Sequence, residues 1–312
     1  MGISISLRRY HYQDKVTWDN FISKTDLGSV LHYRNYIEYH SDRFNDFSIC
    51  FWKGETLEAV IPGTNHGDSW NSHSGLTFGG LISISNDPAD LVNKTLLLDE
   101  YLLREGFTSS SITLASRSFF RDGNDALIFA LSQAGYEILQ NHLNQVLEYN
   151  GNLPHKKLTN ARAAIRKGVK ISNSPEKLAE LYDIIKLNLE SKYEKSPVHT
   201  LSELGFLCEV FPNDICIYTT TIEDEVVAGA IVFEANHSSH IQYLAANSLG
   251  KKIRAQDLLV TELFSRAKEM DKSLSFGKST SGDDASLNKN LYRFKAEYGC
   301  RPENILTLAK IL

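Results

Sequence analysis

One succession of apolar patterns occurs twice along the chain, which restricts it to architectures built from two copies of a unit. "FSICFWKGETLEAVIPG" (47–63) reads as strand, tight turn at Lys53–Gly54–Glu55, and strand. "DICIYTTTIEDEVVAGAIVF" (214–233) repeats that plan with its turn at Glu223–Asp224–Glu225, and both first strands contain an Ile-Cys pair. After each hairpin come a further strand region, a helix and a short strand: 91–106 and 111–116 in the first half, 254–270 and 273–277 in the second. In the later helix Ala255, Leu258, Leu259, Leu263 and Ala267 recur at the spacing of one buried face. Helices at 17–26 and 174–193 precede the hairpins, the second with Ser174 as N-cap and Pro175 in its first turn. Corresponding elements lie about 165 residues apart, and a turn-rich stretch at 150–160 marks the join. We therefore expect a mixed α/β (α+β) fold of two tandem domains, 1–153 and 154–312. Each should be a mainly antiparallel sheet flanked by helices, ordered helix, strands, helix, strand, with a last helix and strand closing the second copy.

The totals narrow the function classes. With 312 residues, 42% hydrophobic and 23% charged, the chain has the composition of a globular protein. Its apolar runs are broken by charge well before the ~20 residues that span a bilayer, and the N-terminus lacks a signal-peptide pattern, so the expected location is the cytoplasm. "MGISIS" matches the short pattern for N-myristoylation, but the alternation of Ile3, Ile5 and Leu7 reads as a first strand. A net charge of −5 provides no global field for nucleic acid, so any anion contact must be local. Cys50, Cys208, Cys216 and Cys300 form no C-x-x-C pair and read as buried thiols. His237 and His240 flank a Ser-Ser pair expected to be a hairpin turn, which would put them on different strands; no metal site is expected.

Four stretches could carry chemistry. In "HIQYLAANSLGKKIRAQ" (240–256) a strand runs into Ser248, Gly250, Lys251, Lys252 and Arg254, and then a helix. Cations at a helix start oppose the dipole unless a phosphate compensates them; either they hold a phosphate with the free N–H groups, or they lie in a solvated loop ahead of the helix. In "LSFGKSTSGDDASLNKNLYRFKAEYGCRP" (274–302) a strand ends at Gly277, where backbone can approach a ligand, and a polar loop with Ser279 and Asp283 leads to a helix bearing Asn288, Tyr292 and Lys295. "SHSGLTFGGLI" (72–82) flanks Phe78 with glycines, matches no P-loop or dinucleotide fingerprint, and reads as a glycine-rich strand close to another backbone. "LTNARAAIRKGVK" (158–170) sets Arg162, Arg166 and Lys170 at i, i+4, i+8, a solvated row or a polyanion contact.

Taken in order, "GLTFGGLI" (75–82), "NARAAIRKGVK" (160–170), the stretch 240–271 and "SFGKST…NKNLYRFKAEYG" (275–299) resemble the Fem-type (FemAB-like) transferases, which carry tandem copies of the GNAT acyltransferase fold. The resemblance implies two GNAT-like domains with the donor site in the second. It also implies transfer of an acyl group from acyl-CoA, such as acetyl-CoA, or of an aminoacyl group from charged tRNA, to an amine of an envelope glycan, nucleotide-sugar or peptidoglycan precursor. "NSLGKKIRAQ" (247–256) departs from the Q/R-x-x-G-x-G/A turn that cradles CoA pyrophosphate, keeping Gly250 and Ala255 of its character. Lys295 matches the family lysine thought to stabilise charge during transfer. No heptad repeat provides the coiled-coil arm of some members, so the chain resembles the compact type.

On this basis the expected catalytic groups are Lys295 with a backbone N–H near Tyr243–Ala245 for the oxyanion, and Tyr292 or Asp283 for a proton. Tyr243, Ala245, Ser248, Gly250, Lys251, Lys252, Arg254 and Ala255 are expected at the donor, and Phe78, Arg162, Arg166, Gly277, Ser279 and Asn288 at the substrate. A non-catalytic descendant that only binds a ligand is the remaining class, since fold alone never fixes function.

Overall fold

The structure, a computed structural model, describes residues 4–282 and 284–312, so Gly2 of the myristoylation pattern and Asp283 lie outside the described residues. The first half runs β1 (Ile5–Arg9), α1 (Lys15–Ile22), α2 (Arg34–Glu38), β2 (Ile49–Lys53), β3 (Thr56–Ile61), β4 (Thr64–His66), β5 (Ser69–Asn71), β6 (Ile82–Ser83), α3 (Pro88–Arg104), β7 (Ser109–Thr113), α4 (Asp125–Gln133) and β8 (Glu137–Leu147). After α5 (His155–Arg166) the second half runs β9 (Lys170–Asn173), α6 (Leu178–Tyr193), α7 (Leu201–Val210), β10 (Ile215–Ile222), β11 (Glu225–Glu234) and β12 (Ser238–Ala246). It continues α8 (Ser248–Ile253), α9 (Ala255–Glu269), β13 (Ser273–Lys278), β14 (Thr280–Ser281), β15 (Ser286–Leu287), α10 (Lys289–Ala296) and β16 (Arg301–Ile311). The repeat is therefore fuller than expected: the second half, like the first, opens on a strand, and both close on a helix and strand, α4–β8 and α10–β16.

Two compact units result, 1–143 with 280–287 and 303–312, and 144–279 with 288–302. They do not share the expected cut at 153, because the terminal strands are exchanged. The C-terminal part of β16 pairs antiparallel with β7 in the first unit (Thr307 opposite Thr113, Ile311 opposite Ser109), while the end of β8 pairs with β13 in the second (Leu147 opposite Leu274).

In the first unit one antiparallel order is β1-β2-β3-β6, another run is β4-β5-β7-β16, and β14 pairs with β15. Trp70, Leu98, Leu102, Ile112, Leu131, Leu306 and Leu308 close its core. Residues 75–81, expected as a strand, form none; Gly79 passes so close to Ser72 that a Cβ would sit 2.7 Å from its carbonyl oxygen, which keeps the expected close approach without the strand. Phe78 is buried against the rings of His32 and Phe119.

The second unit has the order β8-β13-β12-β11-β10-β9, all antiparallel except β12 with β13. β11 is buried along both faces, as a strand covered by helices must be. Ala228, Ala230 and Val232 join the core shared with α5 and α9, whereas Gly229 turns to α6, where a Cβ would meet Leu181 at 2.6 Å. His237 lies in the β11–β12 turn and His240 in β12, not on two strands, and Ser174 hydrogen-bonds Ser172 instead of capping the helix that follows. Cys50 and Cys300 are buried, but Cys208 and Cys216 are only half-buried. Among the described residues no helix is long and apolar enough to cross a membrane.

Candidate functional site

The sheet of the second unit parts between two of its strands. β12 and β13 pair only over Ser238–His240 and Ser273–Ser275. The cause lies in both strands. Opposite β11, Tyr243 faces Ile231 and Ile241 faces Val232, so Gln242 is an extra residue, a bulge that bends β12. β13 turns away at Gly277, whose φ of +73° only glycine adopts without strain. Past the bulge, Asn247 N–H donates to Val227 O. Because N–H directions alternate in an antiparallel ladder, Tyr243 and Ala245 turn theirs to β11, and Leu244 and Ala246 turn theirs into the gap. Consistent with this, the Ala246 carbonyl accepts from Asn188 Nδ2 on α6 at 3.0 Å.

Beside that open edge lies a cavity of about 960 Å³ walled by Gln242, Tyr243 and Leu244 of β12, Asn188 and Leu189 of α6, and Leu291 and Phe294 of α10. Lys251 is the one charged residue among its described walls, and its Nζ donates to Asn188 Oδ1 at 3.2 Å. Tyr243 Oη accepts from the His199 backbone N–H at 3.2 Å and lies 2.9 Å from His199 Nδ1. Burial pushes the Tyr243 phenol up from its ordinary value, which keeps it neutral at physiological pH. The walls thus offer a directed backbone N–H, a neutral phenol and one held cation, together with amide side chains.

The expected donor residues divide here. Tyr243, Ala245 and Lys251 wall the cavity. Lys251 and Lys252 do not stand at a helix start: they occupy the last turn of α8, where the dipole favours cations. Arg254, left-handed at φ +69°, separates α8 from α9, so what reads as one amphipathic helix is two. The N-terminus of α8 is served by Asn247, whose Oδ1 accepts from Gly250 N at 2.8 Å. Gly250 is pressed onto β11, its absent Cβ lying 2.2 Å from Val227 O, so close packing accounts for it without a ligand. Ser248 and Arg254 are exposed, and Ala255 is wholly buried in the α5/α9 core.

The α10 residues divide likewise. Asn288 walls the cavity and caps α10, accepting from Leu291 N at 3.0 Å. Lys295 is 4% exposed and donates to Gly277 O and Lys278 O, both at 2.7 Å. Burial lowers it to about 7, and among the described residues no carboxylate compensates. The left-handed Gly277 lets two successive carbonyls converge on one ammonium. Ser279 donates to Gln145 Oε1 at 2.6 Å, and Tyr292 is half-buried, its carbonyl accepting from Gln145 Nε2 at 3.2 Å. Arg162 and Arg166 are exposed on α5 and outside the cavity, and the i+8 partner Lys170 is not on their helix because α5 stops at Arg166 and Lys170 begins β9. Phe78, in the first unit, is core.

Asn188, His199 and Gln242 were not expected, whereas the Leu244 N–H lies within the Tyr243–Ala245 stretch from which a backbone donor was expected. Asn188 sits among ordinary helix residues and His199 in a connection after proline, so neither carries a local motif; the bulge at Gln242 shows only in the pairing register.

No protein-family model matches the chain, and no curated protein matches it. Solved structures do. FemX superposes with a TM-score of 0.73 at 11% identity, over 98% of this chain and 97% of FemX. L-PGS from Bacillus licheniformis gives 0.59 and 15%, over 94% and 90% of the two chains. A tandem GNAT protein from the clavulanic acid biosynthesis pathway gives 0.50 and 10%, over 98% of each. Identities this low speak to architecture alone, and on that level the doubled unit and the near-complete coverage agree: the chain has the Fem-like tandem GNAT fold.

Proposed function

We propose that the second unit transfers an acyl or aminoacyl group from a thioester or ester donor to an amine. The observation that supports this most is the gap between β12 and β13, where the Leu244 N–H is directed into a walled cavity as a donor to a carbonyl oxygen. Such a donor strengthens its bond as the oxygen becomes an oxyanion, and removing one costs about 10²–10³ in turnover. Holding both reactants in one cavity supplies much of the remainder, since alignment is worth ~7–11 kcal/mol. Lys251, set by Asn188, fits an anionic group of donor or acceptor. The acceptor class we favour is an envelope glycan, nucleotide-sugar or peptidoglycan precursor.

Acyl-CoA and charged tRNA are the two donor classes. One observation favours the aminoacyl ester of tRNA: Asn247 already takes the Gly250 N–H that a CoA pyrophosphate would need, and Gly250 is packed against Val227. To test both, radiolabelled acetyl-CoA and a radiolabelled aminoacyl-tRNA mixture are each incubated with a UDP-linked amino sugar and a UDP-linked muramoyl peptide. Label reaching an acceptor supports transfer and names the donor; label staying on every donor counts against it. With an active pair, Lys251→Ala should raise KM roughly tenfold, the loss of one charge-assisted contact.

A further inference from the structure

The α6–α7 connection folds back so that His199, 3% exposed, meets Tyr243 at the cavity wall. The His199 ring packs edge-on against Tyr243 and Phe233, with centroids 5.9 and 6.1 Å away, and its carbonyl accepts from Tyr182 Oη at 3.2 Å. The imidazole is thereby held by its ring face, its backbone N–H and its carbonyl. Tyr243 Oη has one hydrogen. Its oxygen accepts the His199 backbone N–H, and in the Nε2–H tautomer of His199 that hydrogen is donated to Nδ1, 2.9 Å away. No Asp or Glu is among the described walls of the cavity, and Lys251 is engaged by Asn188, so no carboxylate stands ready to take a proton there.

We propose that Tyr243 and His199 form the proton relay of the transfer, Tyr243 as a catalytic residue touching substrate and His199 acting through it. The proposal rests on the transfer reading. As the amine lone pair forms the C–N bond, the carbonyl π pair moves onto the oxygen facing Leu244 N–H. The nitrogen, now positively charged, gives a proton to Tyr243 Oη while the phenol hydrogen passes to His199 Nδ1, making an imidazolium. Collapse restores the C=O and breaks the bond to the donor oxygen or sulfur, which leaves with the electron pair. It receives the proton back from His199 through Tyr243. The products are an amide and a neutral alcohol or thiol, and the dyad returns to its starting state.

The test begins without substrate. Protein labelled with ¹⁵N-histidine reports which ring nitrogen of His199 carries the proton; the relay requires Nε2–H with Nδ1 accepting, and the signal should change in Tyr243→Phe. Nδ1–H in the wild type overturns the relay alone. Kinetics then use the active donor and acceptor of the preceding assay. Tyr243→Phe and His199→Asn should each lower kcat about 10²-fold with KM nearly unchanged. Asn places Oδ1 where Nδ1 was, accepting the hydrogen bond without taking the proton, so wild-type kcat in His199→Asn would reduce His199 to a structural role and overturn the relay. A wild-type protein that transfers nothing overturns the transfer reading, and the relay with it, whatever the tautomer.

Discussion

Lys295 is a buried ammonium that donates to two backbone carbonyls, and this has a measurable consequence. Its ordinary value in an unfolded chain is 10.5, and burial in the folded protein lowers it to about 7. Between those values the unfolded state binds more protons, so the Lys295 contribution to stability rises with pH from about 7 to 10.5. Denaturant unfolding of wild type and Lys295→Met should show the wild type gaining on the variant across that window; a pH-independent difference would contradict it. Three buried histidines act in the acid range. Burial lowers His32 and His240 to about 4 and His73 to about 3, against 6.5 unfolded. Stability should fall progressively as pH drops from 6.5 toward 4, since the unfolded chain takes up protons that these rings refuse. Thermal melts at half-unit steps check it, and replacing His32 by Phe should flatten part of the slope. At this scale the sequence was partly legible. Lys295 was reachable through its resemblance, but His199 was not, because its partner Tyr243 is 44 positions away and only folding joins them.

At the scale of elements, α8 accounts for most of what the sequence misplaced. The apolar spacing of Ala255, Leu258, Leu259, Leu263 and Ala267 correctly marked the buried face of α9. The same stretch hid the break at Arg254, because a single left-handed residue leaves no periodic trace, and the cations were assigned to the wrong end of a helix. Two variants separate packing from capping here. Helical Gly→Ala ordinarily gains roughly 0.5–1 kcal/mol. At Gly250, where a Cβ would sit 2.2 Å from Val227 O, the change should instead cost about 1–3 kcal/mol of overpacking, measured by denaturant unfolding. Asn247→Ala removes the acceptor for Gly250 N–H and should cost ~1 kcal/mol. If Gly250→Ala proves stabilising, α8 does not lie against β11 as described. The paired hairpins were easier to read, since strand alternation and a tight turn are local signals, whereas the bulge at Gln242 that opens the site depends on β11 as much as on β12.

For the molecule as a whole, the duplication was visible in the sequence and the exchange of terminal strands was not. A repeat tells how many copies a chain contains; which strand completes which sheet is decided by pairing among segments far apart in sequence. Residues 303–312 belong to the first unit, where they pair with β7 and place Leu306 and Leu308 in a core with Leu131, Tyr136 and Ile112. Burying two leucines is worth about 1.5–3 kcal/mol each, a total comparable with the lower end of the ~5–15 kcal/mol that holds a domain together. Losing the strand also leaves the β7 edge unpaired. A fragment ending at residue 153 should therefore fail to fold alone, giving collapsed amide dispersion in NMR. Adding 301–312 back to that fragment through a flexible linker should recover dispersed signals, whereas the same extension with Leu306 and Leu308 changed to Asp should not. A well-dispersed spectrum from 1–153 alone would mean that the exchanged strand is dispensable and that the expected cut at 153 marks a true folding boundary.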